Sequence, residues 1–319
     1  MTELHKEGVP VTGPYIVIDD FLPHDMALSM RADIDAHFAD PMKHHEDTHQ
    51  VWNYWYVDDL YTYLRTRPEK VIERDKVEKF AWTLRNWCFD NIGLGSIYWP
   101  HLSLYIPGCH QKLHNDALNG RYAYVYSLTK SVRRTEGGGT IILKEGDPTR
   151  ANLIRSMTVQ GISDTIEPVF NRLVLFDDRM IHGVEAVTGS MDPAEGRFVL
   201  HGHIEDNGPV AMGALAYDEL QPVIQAGLNW FSNTYAAELA RYHGPFCVKF
   251  GISPAGAVDE IRVVLDRVKS LVERDTAEWP GLRARYLASL QSIRFPAAAD
   301  RTAVSFPIVF AGPGTKPAS

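Results

Sequence analysis

One stretch of the chain limits its possible folds more than any other. From about residue 98 to 204, short apolar or alternating runs follow one another: IYWPHLSLYI, RYAYVYSL, TIILK, TIEPV, RLVLFD, GVEAV and RFVLHGHI. Gly, Pro, Asn and Asp separate them. Many short strands punctuated by turns predict a β-sandwich or barrel. The flanks read differently. PYIVIDDFL (residues 14–22) predicts a buried strand ending at Pro23. Asp25 can cap a helix to about Phe38, with Met26, Met30 and Ile34 on one stripe. Residues 75–91 repeat Val77, Phe80, Ala81, Leu84, Trp87 and Cys88 at helical spacing. Residues 41–67, rich in His and aromatics, show no clean period and predict a loop plus a short strand.

Beyond residue 217 the pattern turns helical again, over 218–241. Strand-like runs at 245–252 and 258–265 flank the turn Ser253-Pro254-Ala255-Gly256. Residues 280–293 predict a helix with Leu282, Tyr286, Leu290 and Ile293 inward, and 303–310 a last strand. Strands give way to helix near 207–217, around Asn207-Gly208-Pro209. A length of 319 residues suits about two domains. We set them at 1–212 and 213–319.

Composition removes several classes. With 45% apolar residues the chain can bury a large core. Lys plus Arg is 32 against 40 for Asp plus Glu, a net charge of −8. That argues against a general grip on nucleic acid or an anionic membrane. Cys88, Cys109 and Cys247 are odd in number and lack CxxC spacing, which disfavours a disulfide scaffold or a Cys-rich zinc site. The start lacks the apolar region of a secretory signal. No apolar run approaches the ~18 residues needed to span a bilayer. The expectation is a soluble, reduced, cytoplasmic protein.

The chemistry concentrates in YIPGCHQKLHNDA, residues 105–117. His114 and Asp116 are two apart, and strand alternation puts such a pair on one face. After 65 intervening residues comes His182, behind the buried run RLVLF. Two His and one carboxylate on one face make the facial triad of non-haem Fe(II) oxygenases. The triad leaves three cis positions, two for a bidentate 2-oxo acid and one for O2. Arg197 opens the following alternating strand and shares a face with Val199, His201 and His203. An inward guanidinium there offers a planar fork for the far carboxylate of a dicarboxylate. Taken singly, each residue has a bland reading as turn, core or surface residue. A cupin-type site wants HxH with a downstream Glu, and Asp at 116 disfavours it. The ordered set carries the argument.

With these residues in view, 14–204 resembles the Fe(II)/2-oxoglutarate-dependent oxygenase superfamily, in particular its prolyl 4-hydroxylase-like group. The matching segments are PYIVIDDFL, HLSLYIPGCHQKLHNDA, EGGGTIILKEG and NRLVLFDDRMIHGVEAVTG. The resemblance implies a double-stranded β-helix (jelly-roll) core with flanking helices. It implies Fe(II) on His114, Asp116 and His182, and the 2-oxoglutarate C5 carboxylate on Arg197. Tyr105 stands where the family often has a cosubstrate-facing Tyr. One of Tyr122, Tyr124 and Tyr126, which share a face, can reach 2-oxoglutarate as well; we take Tyr124. The implied reaction consumes 2-oxoglutarate and O2, releases CO2 and succinate, and hydroxylates an unactivated C–H bond, with ascorbate as a candidate reductant. A carboxylate at 116, where related halogenases have a small residue, argues for hydroxylation; desaturation and cyclisation stay open. The implied substrate is an amino-acid side chain, free, in a peptide or protein, or in a small natural product. The spacer from His182 to Arg197 is long for the family. If TGSMDPAEG is a turn, Arg197 keeps its strand position; otherwise His201 competes for the role.

Other polar and aromatic clusters have competing readings. His44, His45 and His49 read as a solvated loop rather than a second metal site, and Arg133 and Arg134 as a solvated strand end. Trp52, Tyr54, Trp55 and Tyr56 fit either a substrate lid or core packing. Residues 218–310 resemble the C-terminal domain of TonB through Phe250-x-Ile252, Arg294-Phe295-Pro296 and Phe306-Pro307. That resemblance implies a small α+β unit whose sheet edge recruits peptide by strand addition; a structural appendage is the alternative. The rival to an enzyme is a non-catalytic peptide-binding or scaffold protein on a vestigial oxygenase fold.

Overall fold

The fold is that of a computed structural model. It describes residues 9–39, 51–117, 119–130, 135–144, 162–206, 208–270 and 278–311. His44, His45, His49, Arg133, Arg134 and Asn207 lie outside them. The described chain divides into two compact units, 14–86 with 96–205, and 9–13 with 87–95 and 206–311.

Unit one begins with β1 (Tyr15–Ile18) and α1 (His24–Ala39). A hairpin follows, β2 (Asn53–Val57) and β3 (Tyr61–Thr66), then helix α2 (Arg74–Ile92). Next come β4 (Ser96–Ile97), β5 (His101–Tyr105), β6 (His110–His114) and β7 (Tyr122–Ser127). The chain continues through β8 (Thr135–Glu136), β9 (Thr140–Leu143), β10 (Ser163–Ile166) and β11 (Leu173–Asp177). It ends with β12 (His182–Val184), β13 (Thr188–Gly189) and β14 (Arg197–Glu205). Twelve strands form one antiparallel sheet in the order β1-β11-β7-β14-β5-β3-β6-β12-β9-β10, with β2 on β3 and β4 on β14. The sheet curls into a half-barrel of the jelly-roll kind.

Alternation gives this sheet two faces with different duties. One carries Leu173 and Leu175 of β11, the tyrosines of β7, and Leu200 and Ile204 of β14, all fully buried. Phe80 of α2 packs there, its ring 4.9 Å from that of Tyr126 and 6.2 Å from that of Tyr124. Each such side chain contributes about 1.5–3 kcal/mol by leaving water. The opposite face carries Ala123, Val125, Val199 and His201, and lines a cavity. Helix α1 buries Ala27, Met30 and Ile34 on one stripe. It starts one residue before Asp25, which therefore lies in its first turn rather than capping it.

Where a loop plus one short strand was expected over 41–67, the described part forms the two-stranded hairpin β2–β3. Its strands pair Trp55 with Tyr63 and close on Asp59, which has φ of 57°. The period-2 signal was hidden because both faces of β2 carry aromatics. Tyr54 and Tyr56 point to solvent and Trp55 inward.

Unit two contains β15 (Val210–Gly213), α3 (Tyr217–Thr234), β16 (Tyr242–Ile252) and β17 (Val258–Asp266). β18 (Lys269–Ser270), α4 (Trp279–Ser292) and β19 (Thr302–Ala311) complete it. Its antiparallel sheet runs β15-β19-β16-β17, with β18 on β16. Leu220, Ile224, Leu228 and Phe231 of α3 and Leu282, Tyr286 and Leu290 of α4 share one core with Phe246, Val248 and Phe250 of β16. The spacing of both helical sets is the i, i+4 stripe that a helix needs to cover a sheet.

Candidate metal centre

Sheet register brings the two histidines together. β12 pairs with β6 so that His182 stands opposite His114. Their ring centroids are 4.4 Å apart. Strand β6 ends at His114, so Asp116 reaches the pair from the turn just beyond the strand rather than by alternation within it. The turn is fixed by the Asp116 amide donating to the Asp178 carbonyl at 3.0 Å. Asp116 Oδ2 then lies 3.4 Å from His182 Nε2. One ligand atom from each of His114, Asp116 and His182 falls within 4.8 Å of the others.

Backbone carbonyls orient both rings. His114 Nδ1 meets the Lys112 carbonyl at 2.7 Å, and His182 Nδ1 meets that of Met180 at 3.0 Å. The proton on each ring therefore sits on Nδ1, which leaves Nε2 lone pairs for a cation. Asn119 donates to Asp116 Oδ1 at 3.0 Å, leaving Oδ2 toward the histidines. Burial pushes the pKa of His114 down, so the ring stays neutral. Burial works against the Asp116 carboxylate, but the closeness of His182 and of the other His rings outweighs that and holds its pKa below the usual value. Two imidazoles and one carboxylate are an N2O set suited to a divalent first-row metal.

Arg197 borders the same cavity, which measures about 380 Å³. It opens β14 opposite Tyr105 and is only 3% exposed. TGSMDPAEG is a turn containing β13 and a short 3-10 segment, Pro193–Glu195, so Arg197 keeps its place at the strand start. Its Nη2 donates to Thr140 Oγ1 at 3.2 Å, and its guanidinium lies over the Tyr105 ring at 4.6 Å. Nε and Nη1 are buried without a partner among the described residues. A buried, half-satisfied guanidinium is costly unless an anion completes it. The glycine run serves this corner: Gly137, with φ of 76°, passes where a Cβ would strike the Ala186 carbonyl. Tyr105 is buried beneath Arg197, and burial pushes its phenol pKa up.

Tyr124 is among the residues bordering the cavity, but its hydroxyl does not turn toward the triad. It stands opposite Leu175 and Gly202, on the helix-covered face, and Ala123 and Val125 take the cavity side. Its hydroxyl donates to the Tyr98 carbonyl at 3.0 Å. Gly202 makes room for it, since a Cβ there would lie 2.7 Å from the Tyr124 hydroxyl oxygen and 2.9 Å from its ring carbon. Gly202→Ala is therefore expected to destabilise unit one by about 1–3 kcal/mol, read as a lower urea midpoint. An unchanged midpoint would contradict this position of the ring.

Several residues of the site carry no motif. Thr140 steers Arg197; its one signal is that it follows the glycine run. His203 meets Asp178 at 3.1 Å, and burial pushes Asp178 up to about 6. His201 meets Ser103 at 2.7 Å. Arg179 pairs with Asp177, which accounts for it structurally. Tyr63, Trp55 and Arg65 complete the cavity wall.

Residues 100–205 match the family model of the 2OG-Fe(II) oxygenase superfamily. That segment is a 2OG-Fe(II) oxygenase domain. It holds all three triad residues and Arg197. No curated protein matches the chain. Among solved structures, the chain is similar to a Pseudomonas putida prolyl-4-hydroxylase at 16% identity, covering 61% of this chain and 94% of that one, with a TM-score of 0.43. A Trichoplax adhaerens prolyl hydroxylase, solved in complex with a hypoxia inducible factor peptide fragment, matches at 14% identity over 60% of this chain and 82% of that one, TM-score 0.42. The non-heme alpha ketoglutarate dependent epimerase SnoN from nogalamycin biosynthesis matches at 14% over 61% and 77%, TM-score 0.43. In the oxygenase domain the donor set and the two orphaned nitrogens of Arg197 fit a ferrous ion and a dicarboxylate cosubstrate.

Proposed function

We propose that the protein is an Fe(II)- and 2-oxoglutarate-dependent dioxygenase of the prolyl 4-hydroxylase-like group. It hydroxylates an unactivated C–H bond of an amino-acid side chain, in a peptide or protein or in a small natural product. One observation carries this reading: a His-Asp-His cluster and a buried guanidinium with two unpaired nitrogens open onto one cavity. His114 and His182 would hold the metal through Nε2 and Asp116 through Oδ2. Arg197 would take the far carboxylate of 2-oxoglutarate, with Thr140 fixing the fork and Tyr105 covering it. When bound, the metal and cosubstrate supply O2-dependent decarboxylation to succinate and CO2, coupled to C–H oxidation. A carboxylate rather than a small residue at 116 favours hydroxylation.

The same proposal has 213–319 as a separate TonB-like domain recruiting peptide, and a cytoplasmic setting for the chain. The test is succinate release with Fe(II), 2-oxoglutarate and ascorbate, with 2-oxoglutarate affinity measured alongside by calorimetry. Succinate above a chelator control, together with saturable binding of 2-oxoglutarate, supports the reading. Absence of both ends it.

A further inference from the structure

One part of the cavity wall is an aromatic column with a guanidinium at each end. Arg197 lies over Tyr105 at 4.6 Å. Tyr105 stacks on Tyr63 with centroids 5.2 Å apart and planes at 11°. Tyr63 stacks on Trp55 at 6.5 Å and 19°. Trp55 in turn carries the Arg65 guanidinium 3.5 Å above its ring. Register fixes the two cations on either side of β5: Arg197 faces Tyr105, and Arg65 faces Ser103 two residues back. The proposed function uses the Arg197 end and leaves the other without a task.

Arg65 is half-buried and borders the cavity, yet no carboxylate pairs with it among the described residues. Asp116, the one acid lining the cavity among the described residues, is engaged with the histidines and Asn119; Asp178 pairs with His203 and Asp59 with Lys112. Its neighbours add no competing charge, because burial pushes the pKa values of His101 and His201 down and leaves them neutral. Stacking on Trp55 holds the fork in one plane before any ligand arrives, which lowers the ordering cost of binding. A planar, preorganised guanidinium with no carboxylate partner among the described residues is suited to bidentate capture of a carboxylate.

We propose that Arg65 anchors a carboxylate of the primary substrate, so that the substrate is an organic acid. The acid is a free amino acid or similar small molecule, or the C-terminus of a peptide. This rests on the dioxygenase reading above. The two carboxylates of the reaction then have separate anchors: the deep Arg197 for 2-oxoglutarate and the outer Arg65 for substrate.

The test compares acids with their amides. Tryptophan fluorescence follows anaerobic titration of the protein loaded with Mn(II) and 2-oxoglutarate. The probes are the L-amino acids against their carboxamides, and a mixed tripeptide set with free against amidated C-termini. At least one acid is expected to bind about tenfold tighter than its amide, the scale of a charged hydrogen-bonded contact. Arg65→Gln should reduce that preference to under about twofold, while Arg65→Lys should keep part of it. The arm that shows the preference identifies the source, small acid or peptide end. Three outcomes overturn the proposal: acid and amide bind alike in every pair, or not at all; the Gln variant keeps the preference; or it weakens acids and amides equally. Mn(II) and 2-oxoglutarate affinities of the wild type are read separately. Failure there with the acid preference intact counts against the dioxygenase reading and not against Arg65.

Discussion

Asp116→Ala should strip the protein of its metal and of all 2-oxoglutarate-dependent succinate release. Asp116 is the only carboxylate among the three ligands. Even residues that merely orient metal ligands cost 10–100-fold in affinity when removed. Losing a ligand and its charge together is expected to exceed about a hundredfold. The fold should hardly notice: Asp116 is partly exposed, and its side chain gives up one hydrogen bond to Asn119 and a contact with His182. Anaerobic Co(II) titration followed by absorbance reads the affinity, and chromatography of succinate reads the turnover. Asp116→Asn keeps the shape and the Asn119 contact while removing the charge, so it should fall between wild type and alanine. An alanine variant that binds metal within about threefold of wild type would mean that the cluster is not the site.

The triad was legible because its members cluster at strand ends, which local signals mark: His114 closes β6, Asp116 follows in the turn, and His182 opens β12. KLHND runs into the turn residues before Gly120, and MIHGV follows the apolar run RLVLF across the turn Asp177-Asp178-Arg179. That they meet required only that β6 and β12 pair, and the His182–His114 register shows that they do. Tyr124 shows where such reading stops. Alternation put Tyr122, Tyr124 and Tyr126 on one face but could not say which, because β7 is central and apolar on both sides. Tyr124 and Tyr126 satisfy their hydroxyls inside the core, on the Tyr98 carbonyl and on Asn171. A buried ring with a hydrogen-bonded tip is an ordinary core solution. Arg65 was invisible for a different reason. Its meaning comes from the hairpin that lays Trp55 beside it, and the hairpin's strands carry no clean contrast between faces.

Arg197→Met is expected to have two effects of opposite sign. Without cosubstrate the guanidinium is 3% exposed and has two nitrogens unpaired among the described residues, so the folded protein carries a charge that none of these residues neutralises. Burial lowers its pKa, a measure of the same cost. Methionine fills similar space without that charge. It forfeits the Thr140 hydrogen bond, about 1 kcal/mol, and the stacking on Tyr105, about 0.5–2 kcal/mol. The relieved desolvation is worth several kcal/mol. The variant should therefore unfold at the same urea concentration as wild type or a higher one. With 2-oxoglutarate the order should reverse. Ligand at a hundred times its Kd stabilises wild type by about 2.7 kcal/mol. The variant should gain almost nothing, because truncating one partner of a buried charge pair costs about 2–5 kcal/mol of binding, or roughly thirtyfold and more. Hydrogen exchange at the β5 and β14 amides reads this in unit one alone. A variant that is less stable without 2-oxoglutarate yet keeps the full ligand-induced shift would make Arg197 a structural cation. The dicarboxylate would then need another anchor. The crossing of the two stability orders separates these cases, because a residue that merely props up the sheet would weaken both states, whereas an anchor built for an absent anion weakens only the loaded one.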